Sequence, residues 1–204
     1  MDSESCRYFP HLPLSASLLP LGLQRSTVSR SCHPDASFSL GFHPSMSNLE
    51  RLLAEQENLV KSRKYKFYAI PLPERPKKNI TRWECGIPGP QDDVYEGSYY
   101  TLYVDFPDDY PFSPPQVMFK YPVYHPNVYP TNQVCLDIIG DRWKPSLNIM
   151  NVLCGIQQLL GSPNTRSPAN TDASGCLRRD PAGYLESVRE NIKRYHSKPE
   201  WRGL

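Results

Sequence analysis

Tyr99-Tyr100-Thr101-Leu102-Tyr103-Val104-Asp105-Phe106 is the stretch on which the fold turns. It is aromatic and β-branched and alternates with a period of two. Tyr100, Leu102, Val104 and Phe106 therefore share one face of a strand, and Tyr99, Thr101, Tyr103 and Asp105 the other. The first set reads as the core-facing one. Working outward, Tyr65 to Ile70, Thr81 to Ile87 and Gln116 to Phe119 are short runs of the same character, each bounded by Pro, Gly or Asn. Short connections without crossover helices predict that the four strands pair as an antiparallel meander.

Helical patterns flank the strands. Ser47 and Glu50 have the spacing of a capping box, and Leu49, Leu52, Leu53, Leu59 and Val60 recur behind them, predicting an amphipathic helix from Ser47 to about Arg63. Asn148 opens a second pattern, Ile149, Val152, Leu153, Ile156, Leu159 and Leu160, apolar enough to be nearly all buried. Asp180-Pro181 pairs a cap with a first-turn proline and starts a last helix, with Tyr184, Leu185, Val188, Ile192 and Tyr195 along one side. Pro168 to Arg179 reads as a weaker helix between them. The expected fold class is α+β: one helix, a four-stranded meander, a long loop, then two or three helices.

The chain has 204 residues, 39% hydrophobic, which suits one ordinary core plus extra length at an end. A formal net charge of +2 does not call for nucleic acid or an anionic membrane as partner. No apolar run approaches the roughly 18 residues of a membrane span. The six cysteines lie far apart, with no Cys-x-x-Cys pair and no zinc-type His spacing, so they read as free thiols in a reducing compartment and no metal is expected. Residues 1–45, rich in Ser, Pro and Leu and without period, read as a disordered extension, with Met46 a candidate initiator. Residues 46–200 read as a single catalytic core domain.

Residues 121–147 have prolines, polar residues and no sustained period, a length that loops in compact domains reserve for function. They hold His125-Pro126-Asn127-Val128-Tyr129-Pro130 and, eight positions after Asn127, Cys135. A lone cysteine is more often a small buried hydrophobe than a nucleophile, so context has to decide.

Tyr110-Pro111-Phe112-Ser113-Pro114-Pro115, His125-Pro126-Asn127, Cys135-Leu136-Asp137-Ile138 and Trp143-Lys144-Pro145 resemble, in order and spacing, the conjugating enzymes of the ubiquitin system. The resemblance implies the ubiquitin-conjugating fold and a Cys135 thiolate that takes a protein modifier as a thioester and passes it to a lysine. It implies a structural His125 and Pro126 that shape the loop. Asn127 becomes the candidate amide donor to the oxyanion of transfer, with bracing of the loop as the competing role. Tyr129 would help to desolvate the incoming lysine. Ser167 stands where relatives often carry an acidic residue, and could orient the amine without offering charge. Lys61, Arg63 and Lys64, in a basic stretch with Lys66, Lys77, Lys78 and Arg82, would meet the activating enzyme or the modifier. Phe112 and Pro145 would face ligases.

Three stretches are similar to the SUMO-conjugating branch: Trp83 through Gly89, His125 through Pro130, and Gly155 through Leu160. The departures are a shorter link from Cys135 to Trp143, Phe112 in its loop, Gln116 and Ser174 where that branch helps to read its acceptor motif, and Gln56 and Val60 in place of arginines. SUMO is the modifier expected, with a ubiquitin-conjugating enzyme as the alternative and a non-catalytic modifier-binding module of the same fold as a further one. The partners implied are the modifier, its activating enzyme, ligases and lysine-bearing targets, with no nucleic acid and no membrane. No cofactor is expected on this chain, ATP being used by the activating enzyme. Nucleus and cytoplasm are the expected locations.

Overall fold

A computed structural model describes residues 47–62, 65–72, 80–91 and 93–197. Helix α1 (Asn48–Lys61) leads into strands β1 (Tyr68–Pro71), β2 (Arg82–Pro88), β3 (Tyr99–Asp105) and β4 (Gln116–Phe119), and helices α2 (Ile149–Gly161), α3 (Thr171–Arg179) and α4 (Pro181–Tyr195) follow. The strands form one antiparallel sheet in the order β1-β2-β3-β4, the predicted meander. The extension read over residues 1–45 lies outside the described residues. Among those described, no helix is long and apolar enough to cross a membrane, and no group of three or more His, Cys, Asp or Glu side chains could hold a metal ion.

The β2–β3 register places Trp83 opposite Val104, Cys85 opposite Leu102 and Ile87 opposite Tyr100. With Val117 and Phe119 of β4 these side chains are buried in one cluster with Ile149, Val152, Leu153, Ile156 and Leu160 of α2. The opposite face of the sheet is less open than strand alternation predicts. Tyr99 and Thr101 are also buried. Tyr99 stacks on Tyr68 at 6.2 Å between ring centroids, and its hydroxyl donates to the Lys66 carbonyl at 2.9 Å. Gly86 makes that stack possible, because a Cβ there would lie 2.1 Å from the Tyr68 ring and 2.7 Å from that of Tyr99. Lys66 has a positive φ of 55°, which breaks the extended run, so β1 starts at Tyr68 rather than at Tyr65.

The caps of α1, α2 and α4 fall where the sequence puts them, and α3 has one that its pattern did not mark. The Ser47 hydroxyl accepts from the Glu50 amide while the Glu50 carboxylate accepts from the Ser47 amide, and Asn148, Asn170 and Asp180 cap α2, α3 and α4. Helix α3 starts at Thr171, three residues later than expected, because the amides of Ala169 and Asn170 are drawn to the Pro126 carbonyl.

The rotational setting of α1 differs from its apolar pattern. Leu52 and Leu59 are buried, but so are Arg51 and Glu55, whereas Leu49 and Leu53 are 54% and 50% exposed and Val60 is also at the surface. The basic stretch meets acidic partners that its sequence does not show. Lys61 pairs with Glu57 at 2.7 Å and Arg82 with Asp105 at 3.4 Å, while Arg63, Lys64, Lys77 and Lys78 lie outside the described residues. Among the described residues Cys85, Cys135 and Cys154 are reduced thiols, while Cys6 and Cys32 lie outside them.

Candidate active site

After β4 the chain turns back along the sheet margin. Val128 and Val134 form an antiparallel bridge, and both side chains are buried, which anchors a hairpin to the core. Its turn closes through the Asn132 amide donating to the Tyr129 carbonyl at 2.8 Å, with Asn132 at a φ of 68°. Asparagine tolerates that left-handed conformation better than most residues. The Val134 amide donates to Val117 and the Phe119 amide to Asn132, each at 2.9 Å, so the hairpin is stitched to β4.

Cys135 leaves this hairpin half-buried, its amide donating to the Asn127 carbonyl at 2.9 Å. The segment beyond it is seated on α2. A Cβ at Gly155 would lie 2.8 Å from Ile138 Cδ1 and 3.2 Å from Leu136 Cδ2, so the missing side chain leaves room for the two residues that follow the cysteine closely. Glycine inside a helix costs about 1 kcal/mol relative to alanine, and here it permits the close approach. Tyr129 is 42% exposed. The Cys135 sulfur lies beside its hydroxyl and holds the phenol above its ordinary range, first by hydrogen bonding and then by charge repulsion.

His125 and Asn127 lie under the loop. His125 is wholly shielded from solvent, and its Nδ1 accepts from the Asn127 amide at 3.0 Å. Burial pushes its pKa down to about 4, against the opposing pull of the Leu159 and Leu160 carbonyls, so the ring is neutral at physiological pH. Its Nε2 has no hydrogen-bond partner within bonding geometry among the described residues. The Asn127 side chain pairs with the Asn164 backbone on both sides, donating to its carbonyl at 2.9 Å and accepting from its amide at 2.8 Å. A longer contact of 3.5 Å reaches the Ser167 carbonyl. With the Pro126 carbonyl holding Ala169 and Asn170 at 2.8 and 2.9 Å, the stretch between α2 and α3 is fastened to the Cys135 loop.

Asn127 in the resting chain thus serves as a brace, and its only loosely held amide hydrogen is the one aimed at Ser167. Ser167 itself is exposed on the braced stretch. Asn164, which completes the brace, was missed by the sequence reading. Nothing periodic marks it, and only the run Ser162-Pro163-Asn164 just past a helix end signals a built turn.

Phe112 and Pro145 come from separate loops that are tied together. The Trp143 indole donates to the Pro111 carbonyl at 2.8 Å, the Trp143 and Tyr110 rings lie 5.9 Å apart, and Phe112 is 67% exposed. Lys61 lies at the far end of α1, in a different part of the chain from these elements.

A half-exposed thiol on a braced loop, with no hydrolase triad beside it among the described residues, is the arrangement of an acyl carrier. The sequence profile of the family described as "Ubiquitin-conjugating enzyme" matches residues 51–192. The chain is 37% identical over 148 residues to the SUMO-conjugating enzyme UBC9 of Caenorhabditis elegans, an alignment that covers 71% of this chain and 89% of that protein. It is 40% identical over 126 residues to the ubiquitin-conjugating enzyme E2 2 of Trichoderma harzianum and, to the same extent, to that of Fusarium solani, covering 62% of this chain and 81% of each relative. The chain belongs to the ubiquitin-conjugating enzyme family, transferases that carry a ubiquitin-like modifier as a thioester and work with activating enzymes, ligases and targets.

Proposed function

We propose that this enzyme takes SUMO from its activating enzyme onto Cys135 and passes it to lysine side chains of target proteins. The observation that carries the nucleophile is Cys135 itself, half-exposed where a core-anchored hairpin meets a segment packed on Gly155. The modifier reading draws on the likeness to the SUMO-conjugating relative over most of the chain. Ubiquitin is the second reading, favoured by the two ubiquitin-conjugating relatives and by the exposed Phe112.

In the first step the Cys135 thiolate attacks the thioester carbonyl on the activating enzyme, and that enzyme's thiolate leaves. In the second a lysine amine attacks the Cys135 thioester, an isopeptide bond forms, the Cys135 thiolate leaves and the amine proton passes to solvent. One thioester replaces another in the first step, so no peptide-strength bond breaks. A free lysine is neutral to only about 0.1% at physiological pH, so the site must lower its pKa. Tyr129, whose hydroxyl lies beside the sulfur, supplies apolar wall for that desolvation, and Ser167 orients the amine. The Asn127 amide hydrogen held only loosely by Ser167 is given to the growing oxyanion instead, worth about 3 kcal/mol for one such donor. Lys61, with Arg63 and Lys64, contributes to the surface met by the activating enzyme or the modifier. ATP is consumed by that partner enzyme, no cofactor is assigned to this chain, and the reaction is placed in nucleus and cytoplasm. Residues 46–200 form the catalytic core domain, and residues 1–45 are an extension to it.

Incubation of the chain with each modifier, its cognate activating enzyme and ATP, followed by gels with and without reductant, tests the reading. A reductant-sensitive adduct with SUMO that Cys135→Ala abolishes is the expected result. An adduct with ubiquitin alone selects the second reading, and no adduct with either overturns both.

A further inference from the structure

The mechanism leaves unused a buried charged cluster on the inner side of α1. Glu55 is 1% exposed and Arg51 4%, in a part of the chain far from the thiol in sequence. The Glu55 carboxylate takes three donors: Arg51 Nε at 2.5 Å, the Tyr110 hydroxyl at 2.7 Å and the Ile149 amide at 2.7 Å. Arg51 Nη2 donates onward to the Leu147 carbonyl at 2.9 Å. Burial and the Glu55 charge both hold the Tyr110 phenol in its protonated, donating form.

One carboxylate therefore meets three elements. Tyr110 opens the loop that carries Phe112. Leu147 and Ile149 close the segment that runs from Cys135 past Trp143 and Pro145, and Trp143 is bonded back to Pro111. Both loops are tied to α1 by bonds that converge on Glu55 and Arg51. Burying two charges rarely adds net stability over apolar side chains of similar size, so their presence calls for a role in specifying geometry.

We infer that Glu55, with Arg51, is a positioning residue that fixes the Phe112 and Pro145 loops relative to each other for ligase engagement. The inference rests on the reading of those two residues as ligase-facing. A carboxylate suits the task because its two oxygens accept along several directions, so a single group gives one origin to loops that are separate in sequence.

The test replaces the pair by apolar side chains, Arg51→Met with Glu55→Leu, so that no buried charge is left alone. The probe is a ligase domain chosen because it accelerates discharge of the wild-type Cys135 thioester to lysine. The double variant is expected to keep its thermal midpoint, to raise the KM for that ligase about fivefold and to leave kcat little changed. Amide exchange at Phe112 and Trp143 should quicken about tenfold while β2 and β3 amides stay protected. A purely packing role would lower the thermal midpoint without that split between KM and kcat. Wild-type KM and wild-type exchange in the folded double variant overturn the inference.

If the double variant does not fold, Tyr110→Phe removes one hydroxyl only. It should move both readouts the same way by about twofold, and no movement there overturns the inference as well. Phe112→Ala separates the two levels. Loss of ligase stimulation in Phe112→Ala without any change in the double variant defeats the positioning role alone, whereas full stimulation in Phe112→Ala defeats the ligase-facing reading and this inference with it.

Discussion

Helices α1 and α2 are of nearly equal length, 14 and 13 residues, and both open on a two-sided capping box, yet they meet the protein in opposite ways. Helix α2 buries seven side chains, all apolar, against the sheet. Helix α1 buries two leucines together with an arginine and a glutamate, and turns Leu49, Leu53 and Val60 outward. One helix is held by area removed from water, the other by directed bonds to three places. An apolar contact resists separation but tolerates small slides, while a buried hydrogen-bonded charge is costly in any position but one. The contrast separates what holds the core from what registers the loops around it.

The largest effect that would break this comparison is expected from Glu55→Ala. It strands Arg51 in the core and should lower unfolding free energy by about 4 kcal/mol, against near neutrality for the apolar double replacement. Chemical denaturation of both checks it. Equal losses in the two would show that α1 is held by packing after all. Next is Leu153→Ala in α2, fully buried, which should cost about 3 kcal/mol through lost transfer and a residual cavity.

A titration sharpens the α2 side, where the Leu159 and Leu160 carbonyls approach His125. The folded pKa is about 4 and the ordinary value 6.5. The unfolded chain therefore binds the proton first as pH falls. The contribution is fully present above about pH 6.5 and is lost progressively down to about pH 4, by up to roughly 3 kcal/mol. His196, also held low by burial, acts in the same direction, so His125→Gln should flatten the stability profile in part. A profile unchanged by His125→Gln would show that the ring does not titrate on unfolding. The smallest effect is expected for Leu53→Ala, within about 0.5 kcal/mol, because half of that side chain is already in water.

These helices also show which features could be read in advance. Capping residues name helix starts because the cap bond is local in sequence, and α1, α2 and α4 start at the caps read for them, whereas α3, read without one, starts later than expected. Strand β4 was legible at both ends, since its pattern and its flanking prolines agree. The facing of α1 was not, because Arg51 and Glu55 count as polar until Tyr110, Leu147 and Ile149 arrive from distant parts of the chain. The same division runs through the candidate site. Cys135, His125 and Asn127 stand out in their motifs, and the brace from Asn127 to Asn164 does not, as it joins a side chain to backbone across 37 positions.

The stitching of the hairpin to β4 has a consequence for how the enzyme ages and fails. A bare outer strand would offer unsatisfied amides and carbonyls to a neighbouring molecule. Here that margin is closed by the same ribbon that delivers the sulfur, through Val134 to Val117 and Phe119 to Asn132. Fraying of the ribbon would therefore misplace the nucleophile and bare an adhesive border in a single event, so loss of competence and onset of self-association should share one rate on heating.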